Sequence, residues 1–430
     1  MPMFRFASSV VCLLCVTTAL GARAPQSTPP MSPADCLKAA RDLQAARTKE
    51  APRPITAEKA RAIQQEKVTL ARGCTASMSV EGVPADQLVA LADLYLEAAQ
   101  PELADAAVTR AVEVTASRPA DQAKALVAAV NVVMRQPLSD ARNARAEQLV
   151  KQLDALPASF VREQIAGHGR LNSYYRADDI DAGIIAHSER IIELNTLLKP
   201  EERQPLGGVL TAAYVNLAEA FAGQERTPEA LAVLRRASSE LAGLADVPAR
   251  LTPVLNRYEL VGKPAAPIEA PRWLNAPAGT AAMKLDGGVT WLQFTAHWCG
   301  PCREAYPGVV RLHERYGAKG FRVVMATELY GYFESQRNLA PADELAAITA
   351  YFPKHGITFP VAVSDPAPMV EENGRQVRKV NVNDAHYHVA GIPQIHIIDR
   401  QGVVRLIMIG YDPANHARLE ALVARLLDEK

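Results

Sequence analysis

The five residues Trp298-Cys299-Gly300-Pro301-Cys302 constrain this chain more than any other stretch, because they place two thiols three residues apart where the backbone pattern changes. Before them, Val289 to Thr295 carries the β-branched and aromatic residues of a strand; after them, Cys302 to Tyr316 has the spacing of an amphipathic helix. Cys299 therefore stands at a helix N-terminus, where the positive end of the dipole favours thiolate and lowers a thiol pKa. Cys302 follows on the same face one turn in, placed to resolve a mixed disulfide by attacking Cys299. Pro301 suits that first turn, since an amide there has no intrahelical acceptor. A zinc site would need two more ligands at matching spacing, and neither Cys36 nor Cys74 belongs to a second such pair. The residues thus point to an attacking thiol, Cys299, and a resolving thiol, Cys302, with no metal.

The pattern around the motif alternates. Phe321 to Ala326 reads as a strand, Pro341 to Phe352 as a helix and Thr358 to Val363 as a strand. Gln394 to Asp399 and Val403 to Met408 flank the turn Arg400-Gln401-Gly402 as a hairpin, and Ala414 to Leu427 closes as a helix. Strands alternating with helices and ending in a hairpin predict a three-layer α/β domain with a mixed sheet.

This combination resembles the thioredoxin family, through Trp298 to Cys302, through Pro307 five residues after the second cysteine, and through Gly391-Ile392-Pro393. The lead-in Val261-Gly262-Lys263-Pro264-Ala265-Ala266-Pro267 and the long insertion from Leu329 to Pro360 look like the exported TlpA-like branch, whose members often reduce disulfides outside the cytoplasm. The resemblance covers about residues 260 to 430. It implies a cis Ile392–Pro393 bond and substrate contacts from Trp298, Gly300, Pro301, Ile392 and Pro393. Main-chain pairing of an extended client segment at Ile392 would make recognition broad. It implies disulfide-containing client proteins as partners, an upstream thiol electron donor with a membrane-borne reductant as the candidate, and no cofactor. Gly-Pro between the cysteines is the dipeptide of thioredoxin itself, whose potential is about −270 mV, and by resemblance favours a reductant over an oxidase.

Two positions depart from the family pattern. Gln293 stands where cytoplasmic thioredoxins carry a buried Asp that assists proton transfer, and the acidic residue after the second cysteine is Glu304, one position earlier than expected, with Ala305 at the expected place. The proton-transfer candidates are Glu304, Gln293 and His297, the last because a partly charged imidazole beside Cys299 would favour thiolate. His297, His386, His388 and His396 gather in sequence around the dithiol and the proline loop, and read as rim or loop residues rather than metal ligands. Peroxidase chemistry expects a Thr three residues before the reactive cysteine, where Ala296 sits.

The preceding half differs in kind. From Met31 to about Arg250 alanine is abundant, glycine is sparse and apolar residues recur every three or four positions, predicting helices and loops alone, with breaks at Gln136-Pro137, Leu156-Pro157, Lys199-Pro200 and Val247-Pro248. Leu91, Ala92, Tyr95, Ala104, Val108 and Ala111 match the small and large positions of a tetratricopeptide repeat, whose period is about 34 residues. Leu217, Ala218, Phe221, Ala230, Leu234 and Ala237 repeat that spacing, while Leu171 and Tyr175 keep part of the phase. Stacked helix pairs build concave surfaces that hold partners, so this half is expected to be a protein-docking module without chemistry of its own.

Residues 1–24 carry Arg5, the apolar run Val10 to Leu20 and then Ala22-Arg23-Ala24, the pattern of a cleaved secretory signal. Counted from Ser8, the run of about 13 residues is short for a bilayer span. Export, periplasmic or secreted, would put the remaining thiols where disulfides persist, and Cys36 with Cys74 is then most simply a structural disulfide. The expected organisation is a signal peptide at 1–24, an α-helical repeat-like domain at 25–250, a Pro-rich linker and lead-in at 251–288 and a thioredoxin-like domain at 289–430. Balanced charge, 47 basic against 47 acidic residues with the basic ones dispersed, argues against nucleic acid as partner. The expectation is an exported reductase of protein disulfides. Its rival is an interaction scaffold whose thioredoxin-like part is a redox-sensitive docking module.

Overall fold

The computed structural model describes residues 31–52, 55–178, 180–372 and 375–429, so the predicted signal peptide lies outside the described residues. Helices occupy the first half: α1 (Pro33–Glu50), α2 (Ala57–Thr75), α3 (Leu88–Glu97), α4 (Pro101–Thr115), α5 (Pro119–Met134), α6 (Asp140–Asp154), α7 (Val161–Ala177), α8 (Asp181–Asn195), the short α9 (Pro200–Arg203), α10 (Gly207–Gly223), α11 (Thr227–Glu240) and α12 (Val247–Tyr258). Caps set their starts. Ser32, Thr56 and Ser139 each accept an amide from the first turn of α1, α2 and α6, while Pro101, Pro119 and Pro228 place an amide-free residue at the start of α4, α5 and α11. Cys36 and Cys74 are bonded, with Cα atoms 6.2 Å apart, and tie α1 to α2 over a small core of Leu37, Ala40, Ala71 and Leu94.

The two sequence stretches of equal spacing are helix hairpins, α3–α4 and α10–α11, and every residue of both patterns is buried. Each hairpin turns the same way: the Gln100 amide donates to the Tyr95 carbonyl at 2.9 Å and the Arg226 amide to the Phe221 carbonyl at 2.9 Å, with Ala99 and Glu225 at positive φ just before. A third hairpin, α7–α8, shares both the turn, Ile180 to Tyr175 at 2.9 Å, and the full spacing, with Leu171, Asn172, Tyr175, Ile184, Ser188 and Ile191 buried. Asn172 stands there where the other two pairs have alanine, Ser188 where they have Val108 and Leu234, and Ile184 and Ile191 take the other two alanine positions. The two polar residues satisfy each other, Asn172 donating to Ser188 Oγ at 2.6 Å and to the Ile184 carbonyl at 3.1 Å. Beside them His168 and His187 meet Nδ1 to Nδ1 at 2.8 Å, and their outer nitrogens face Asp154 and Glu147 of α6.

The second half contains β1 (Ile268–Glu269), β2 (Arg272–Leu274), β3 (Ala282–Met283), β4 (Val289–Phe294), α13 (Gly300–Tyr316), β5 (Phe321–Glu328), β6 (Tyr332–Phe333), β7 (Gln336–Arg337), α14 (Pro341–Lys354), β8 (Val361–Ser364), β9 (Met369–Glu372), β10 (Arg375–Arg378), α15 (Val382–His386), β11 (Gln394–Ile398), β12 (Val404–Ile409) and α16 (Pro413–Asp428). Six strands form one sheet in the order β12-β11-β4-β5-β8-β2. β4, β5 and β8 run parallel, and β11, β12 and β2 run antiparallel to their neighbours. This is the mixed-sheet, thioredoxin-like α/β domain that the sequence predicts, joined to an all-helical N-terminal region.

The strand period of two divides the sheet between two cores. Val289, Trp291, Val323, Met325, Ile395 and Ile397 face one way and pack with Tyr306, Val309, Ile348, Leu419 and Leu422 of α13, α14 and α16. Leu292, Phe294, Val324, Ala326 and Ile407 face the other way, in a core continuous through Ile268, Leu285 and Tyr387 with Tyr214, Leu217, Phe221, Leu251 and Tyr258 of α10 and α12. The helical region thus covers one face of the sheet. Residues 251–288, expected as a Pro-rich linker and lead-in, carry most of α12 and the strands β1, β2 and β3, with Leu251, Ile268 and Leu285 buried, because their apolar residues complete that second face. No helix among the described residues is long and apolar enough to cross a membrane.

Candidate functional site

Thr295 to Trp298 carry the chain from the end of β4 to the N-terminus of α13, where Cys299 is the capping residue. Its Sγ accepts the Cys302 amide at 3.2 Å, so the sulfur receives one of the first-turn donors that the helix leaves unpaired. The two sulfurs are bonded, with Cα atoms 5.2 Å apart. Cys302 is fully buried, Cys299 is 3% exposed, and Trp298 beside them is 44% exposed. Pro301 sits in the first turn of α13, and a side chain at Gly300 would meet no atom within 4 Å, so the approach over Gly300 is open. The helix runs on without interruption through Pro307.

The second wall comes from the loop before β11. The Ile392–Pro393 bond is cis, and the Ile392 carbonyl oxygen lies 3.6 Å from Cys299 Sγ. The Gly410 amide donates to the Pro393 carbonyl at 2.8 Å, which ties this loop to the end of β12. Trp298, Cys299, Gly300, Pro301, Ile392 and Pro393 therefore converge around one sulfur. Cys36 and Cys74 stand apart, in the first helix pair.

The three proton-transfer candidates occupy different settings. Glu304 is exposed on α13. Gln293 is fully buried on the face of β4 that also bears Trp291; its Oε1 accepts the Trp291 indole N–H at 3.1 Å, while its Nε2 has no partner among the described residues. As an amide it holds no transferable proton. His297 is buried against Tyr330, Tyr332 and Phe333, with ring centroids 5.9, 5.4 and 4.9 Å away. Burial pushes its pKa down to about 4 against a hydrogen bond with the Tyr332 backbone, so the ring is neutral at pH 7. This corrects the expectation of a partly charged imidazole: desolvation outweighs the Tyr332 hydrogen bond, and the Glu344 carboxylate, 3.8 Å from Nε2, is itself taken up by the Tyr330 and Gly331 amides. The four histidines also lie apart. His396 is fully buried on β11 beside Phe294 and Tyr387 and is pushed to about 3, His386 ends α15, and His388 has φ +47°. Among the described residues no group of three or more His, Cys, Asp or Glu side chains is arranged to hold a metal ion.

One residue that sequence reasoning missed shapes the rim. Glu344 of α14 is fully buried, and its carboxylate accepts the amides of Tyr330 and Gly331 at 2.7 Å each. It holds the insertion so that the Tyr330 ring meets Trp298 edge-on at 5.4 Å. A lone Glu in an amphipathic helix gives no sequence signal for this, since the acceptor geometry exists only once the insertion folds back.

Comparison with known proteins gives likeness over part of the chain. The curated Thioredoxin-like protein YneN of Bacillus subtilis (strain 168) is 26% identical over 124 residues, 29% of this chain and 58% of the relative, so the chain spans little more than half the length of that relative. Among solved structures, a candidate thiol:disulfide interchange protein DsbE from Chlorobium tepidum is 26% identical, covering 39% of this chain and 97% of that one with a TM-score of 0.29. StoA from Bacillus subtilis is 16% identical, covering 36% and 99% with a TM-score of 0.24. The family model described as Redoxin matches residues 261–423, the stretch that carries both the dithiol and the Ile392–Pro393 loop.

Proposed function

We propose that this chain is an exported thiol-disulfide oxidoreductase that reduces protein disulfides through Cys299 and Cys302. The observation that carries the reading is the placement of Cys299 Sγ, capping α13 on the Cys302 amide at 3.2 Å and facing the Ile392 carbonyl at 3.6 Å. The helix N-terminus favours the Cys299 thiolate. That thiolate attacks one sulfur of a client disulfide, forming a Cys299–client bond and releasing the other client sulfur as thiolate, which takes up a proton. Cys302, deprotonated in turn, attacks Cys299 and releases the second client thiol. Two electrons pass from the dithiol to the client, and the Cys299–Cys302 disulfide is left for an upstream thiol donor, a membrane-borne reductant in this proposal, to reduce. The dithiol carries both electrons, so no cofactor is invoked.

Trp298, Gly300, Pro301, Ile392 and Pro393 form the client-contacting surface, with extended client backbone paired at Ile392. Export is supported by the N-terminal pattern of residues 1–24 and by the Cys36–Cys74 bond, since structural disulfides persist in oxidising compartments. The helical hairpins serve as a tetratricopeptide-like docking module. Cys302→Ser tests the reading: it should accumulate mixed disulfides through Cys299 that Cys299→Ser abolishes. Capture of the same proteins by the double variant Cys299→Ser/Cys302→Ser would instead make the dithiol incidental to binding.

A further inference from the structure

We propose that His168 and His187 form a proton-binding site inside the helical region, a dyad that holds one proton beyond those of two neutral rings and latches α6 to the α7–α8 hairpin. The site is independent of the dithiol chemistry. Both rings are buried, His168 on α7 and His187 on α8, and they meet Nδ1 to Nδ1 at 2.8 Å. The outer nitrogen of each faces a carboxylate of α6: His168 Nε2 lies 3.2 Å from both oxygens of Asp154, and His187 Nε2 lies 3.0 Å from Glu147 Oε1. An ionised carboxylate only accepts, so each Nε2 has to carry a hydrogen. Two neutral rings then have none left for the central contact, and their Nδ1 lone pairs face each other. Moving a hydrogen to one Nδ1 instead turns the Nε2 lone pair of that ring toward its carboxylate. The central contact and the two outer ones need three hydrogens, whereas two neutral imidazoles supply two. The third is the proposed proton, and it makes the pair an imidazole–imidazolium unit that titrates as one.

The surroundings fit that count. Both α6 carboxyls lie below their ordinary values: burial opposes ionisation, but bonds from His187 and Tyr175 outweigh it at Glu147, and those from His168 and Arg190 outweigh it at Asp154. Tyr175 of α7 is kept protonated by burial and donates to Glu147 Oε1 at 2.6 Å. Arg190 of α8 reaches Asp154 Oδ1 at 3.4 Å and Glu193 at 2.7 Å, while Arg142 of α6 is taken up by Asp178. Of the other helices packed on the hairpin, α5 carries an exposed Lys124, and α10 carries Tyr214, bonded to Glu240, and Glu219, paired with Arg176 and Arg257. Burial pushes His168 down against its Asp154 bond, which makes it the neutral partner and leaves the proton on the His187 side. A second proton would set two donors face to face at the central contact. The dyad also sits on a seam: Ala146, Leu149 and Leu153 of α6 belong to the first helical core, whereas Ile165 of α7 and Ile191 of α8 belong to the core continuous with the sheet. A Cβ at Gly167, next to His168, would overlap Leu153, so α7 approaches α6 closely at this point. Loss of the shared proton, or gain of a second, loosens that joint.

Unfolded histidines titrate near pH 6.5. Above that pH the unfolded pair binds no proton while the folded dyad holds one, so the stabilisation falls as pH rises. Below it the unfolded pair binds two and the folded dyad still one, so the stabilisation falls again. Each limb is worth up to about tenfold in the folding equilibrium constant per pH unit. Urea unfolding of the full chain and of His168→Gln/His187→Gln, between about pH 5.5 and 8.5, tests this. The ratio of their folding constants, parent over variant, should peak near pH 6.5 and fall on both sides. A ratio that is flat above pH 6.5 and falls only in acid would overturn the proposal, because two rings buried neutral behave that way. Should the variant fail to fold, histidine-selective nitrogen-15 NMR of the parent at about pH 7.5, where roughly nine in ten free histidines are neutral, decides alone. A coupling across an N–H···N bond between two Nδ1 atoms should join a ring protonated at both nitrogens to one protonated at Nε2 only. Two hydrogens on the coupled pair, or no coupled pair, would overturn the dyad.

Discussion

His297 shows how little its position in sequence says about its charge. It stands two residues before Cys299, yet burial among Tyr330, Tyr332 and Phe333 holds its pKa at about 4, so nothing cationic at pH 7 comes from that ring. The thiolate of Cys299 then depends on the α13 N-terminus and the Cys302 amide. His297→Gln should accordingly leave the pH midpoint of Cys299 alkylation in the reduced protein where it is; a rise of a full unit would show that the imidazole carries charge after all. The same burial links both inner histidines to stability. Their folded pKa values, about 4 for His297 and about 3 for His396, lie below an unfolded value near 6.5. The neutral ring is favoured in the folded state, so this contribution is complete above pH 6.5 and is lost as pH falls through 6.5 toward 4 and 3. At about 1.4 kcal/mol per unit it is on the order of several kcal/mol. The urea midpoint of His396→Gln should fall less steeply than that of the parent between pH 6.5 and 4.

The helix pairs show which parts of this fold are legible in sequence. Small residues at fixed spacing betray α3–α4 and α10–α11, because alanine is what lets two helices approach closely. The third pair, α7–α8, keeps the spacing but has Asn172, Ile184 and Ile191 at the three alanine positions, with Asn172 hydrogen-bonded to Ser188, which a pattern of small residues does not register. Close packing also reverses an ordinary rule at Gly183. Replacing a helical glycine by alanine normally stabilises by about 0.5–1 kcal/mol, but here a Cβ would overlap the Tyr175 ring, so Gly183→Ala should lower the melting temperature. Ala218→Leu in α10, at a fully buried small position, should cost about 1–3 kcal/mol by overpacking, read as a shifted urea midpoint at unchanged slope. At the site, the strand–dithiol–helix junction was legible because local residue chemistry defines it, and the proline loop through the family resemblance that Gly391-Ile392-Pro393 carries. Glu344 and the Tyr330 rim were not, because their roles arise from long-range contact across the insertion. The edge strand β2, only three residues long in proline-rich sequence, gives no periodicity to detect.

At the scale of the whole molecule, the helical region is packed onto the sheet and does not hang from a linker. One apolar core runs from Ile165 and Tyr214 to Leu292 and Ile407, and the ion pairs Arg418–Asp181 and Arg425–Glu225 bridge the same seam. The α/β half holds all three tryptophans, Trp273, Trp291 and Trp298, while helical ellipticity comes mainly from the other half. Urea unfolding followed by tryptophan fluorescence and by far-ultraviolet circular dichroism should therefore coincide for the oxidised protein; two separated transitions would show the halves to be independent. The Cys36–Cys74 bond closes a loop with a sequence separation of 38 residues, worth about 4 kcal/mol in the chain-entropy model. The most direct measurement is reduction of insulin disulfides by the full chain supplied with dithiothreitol, compared with Cys299→Ser under the same conditions. The dithiol mechanism predicts precipitation of the reduced insulin chains well above the dithiothreitol background and a return to that background in the variant. Equal rates with and without the Cys299 thiol would contradict it.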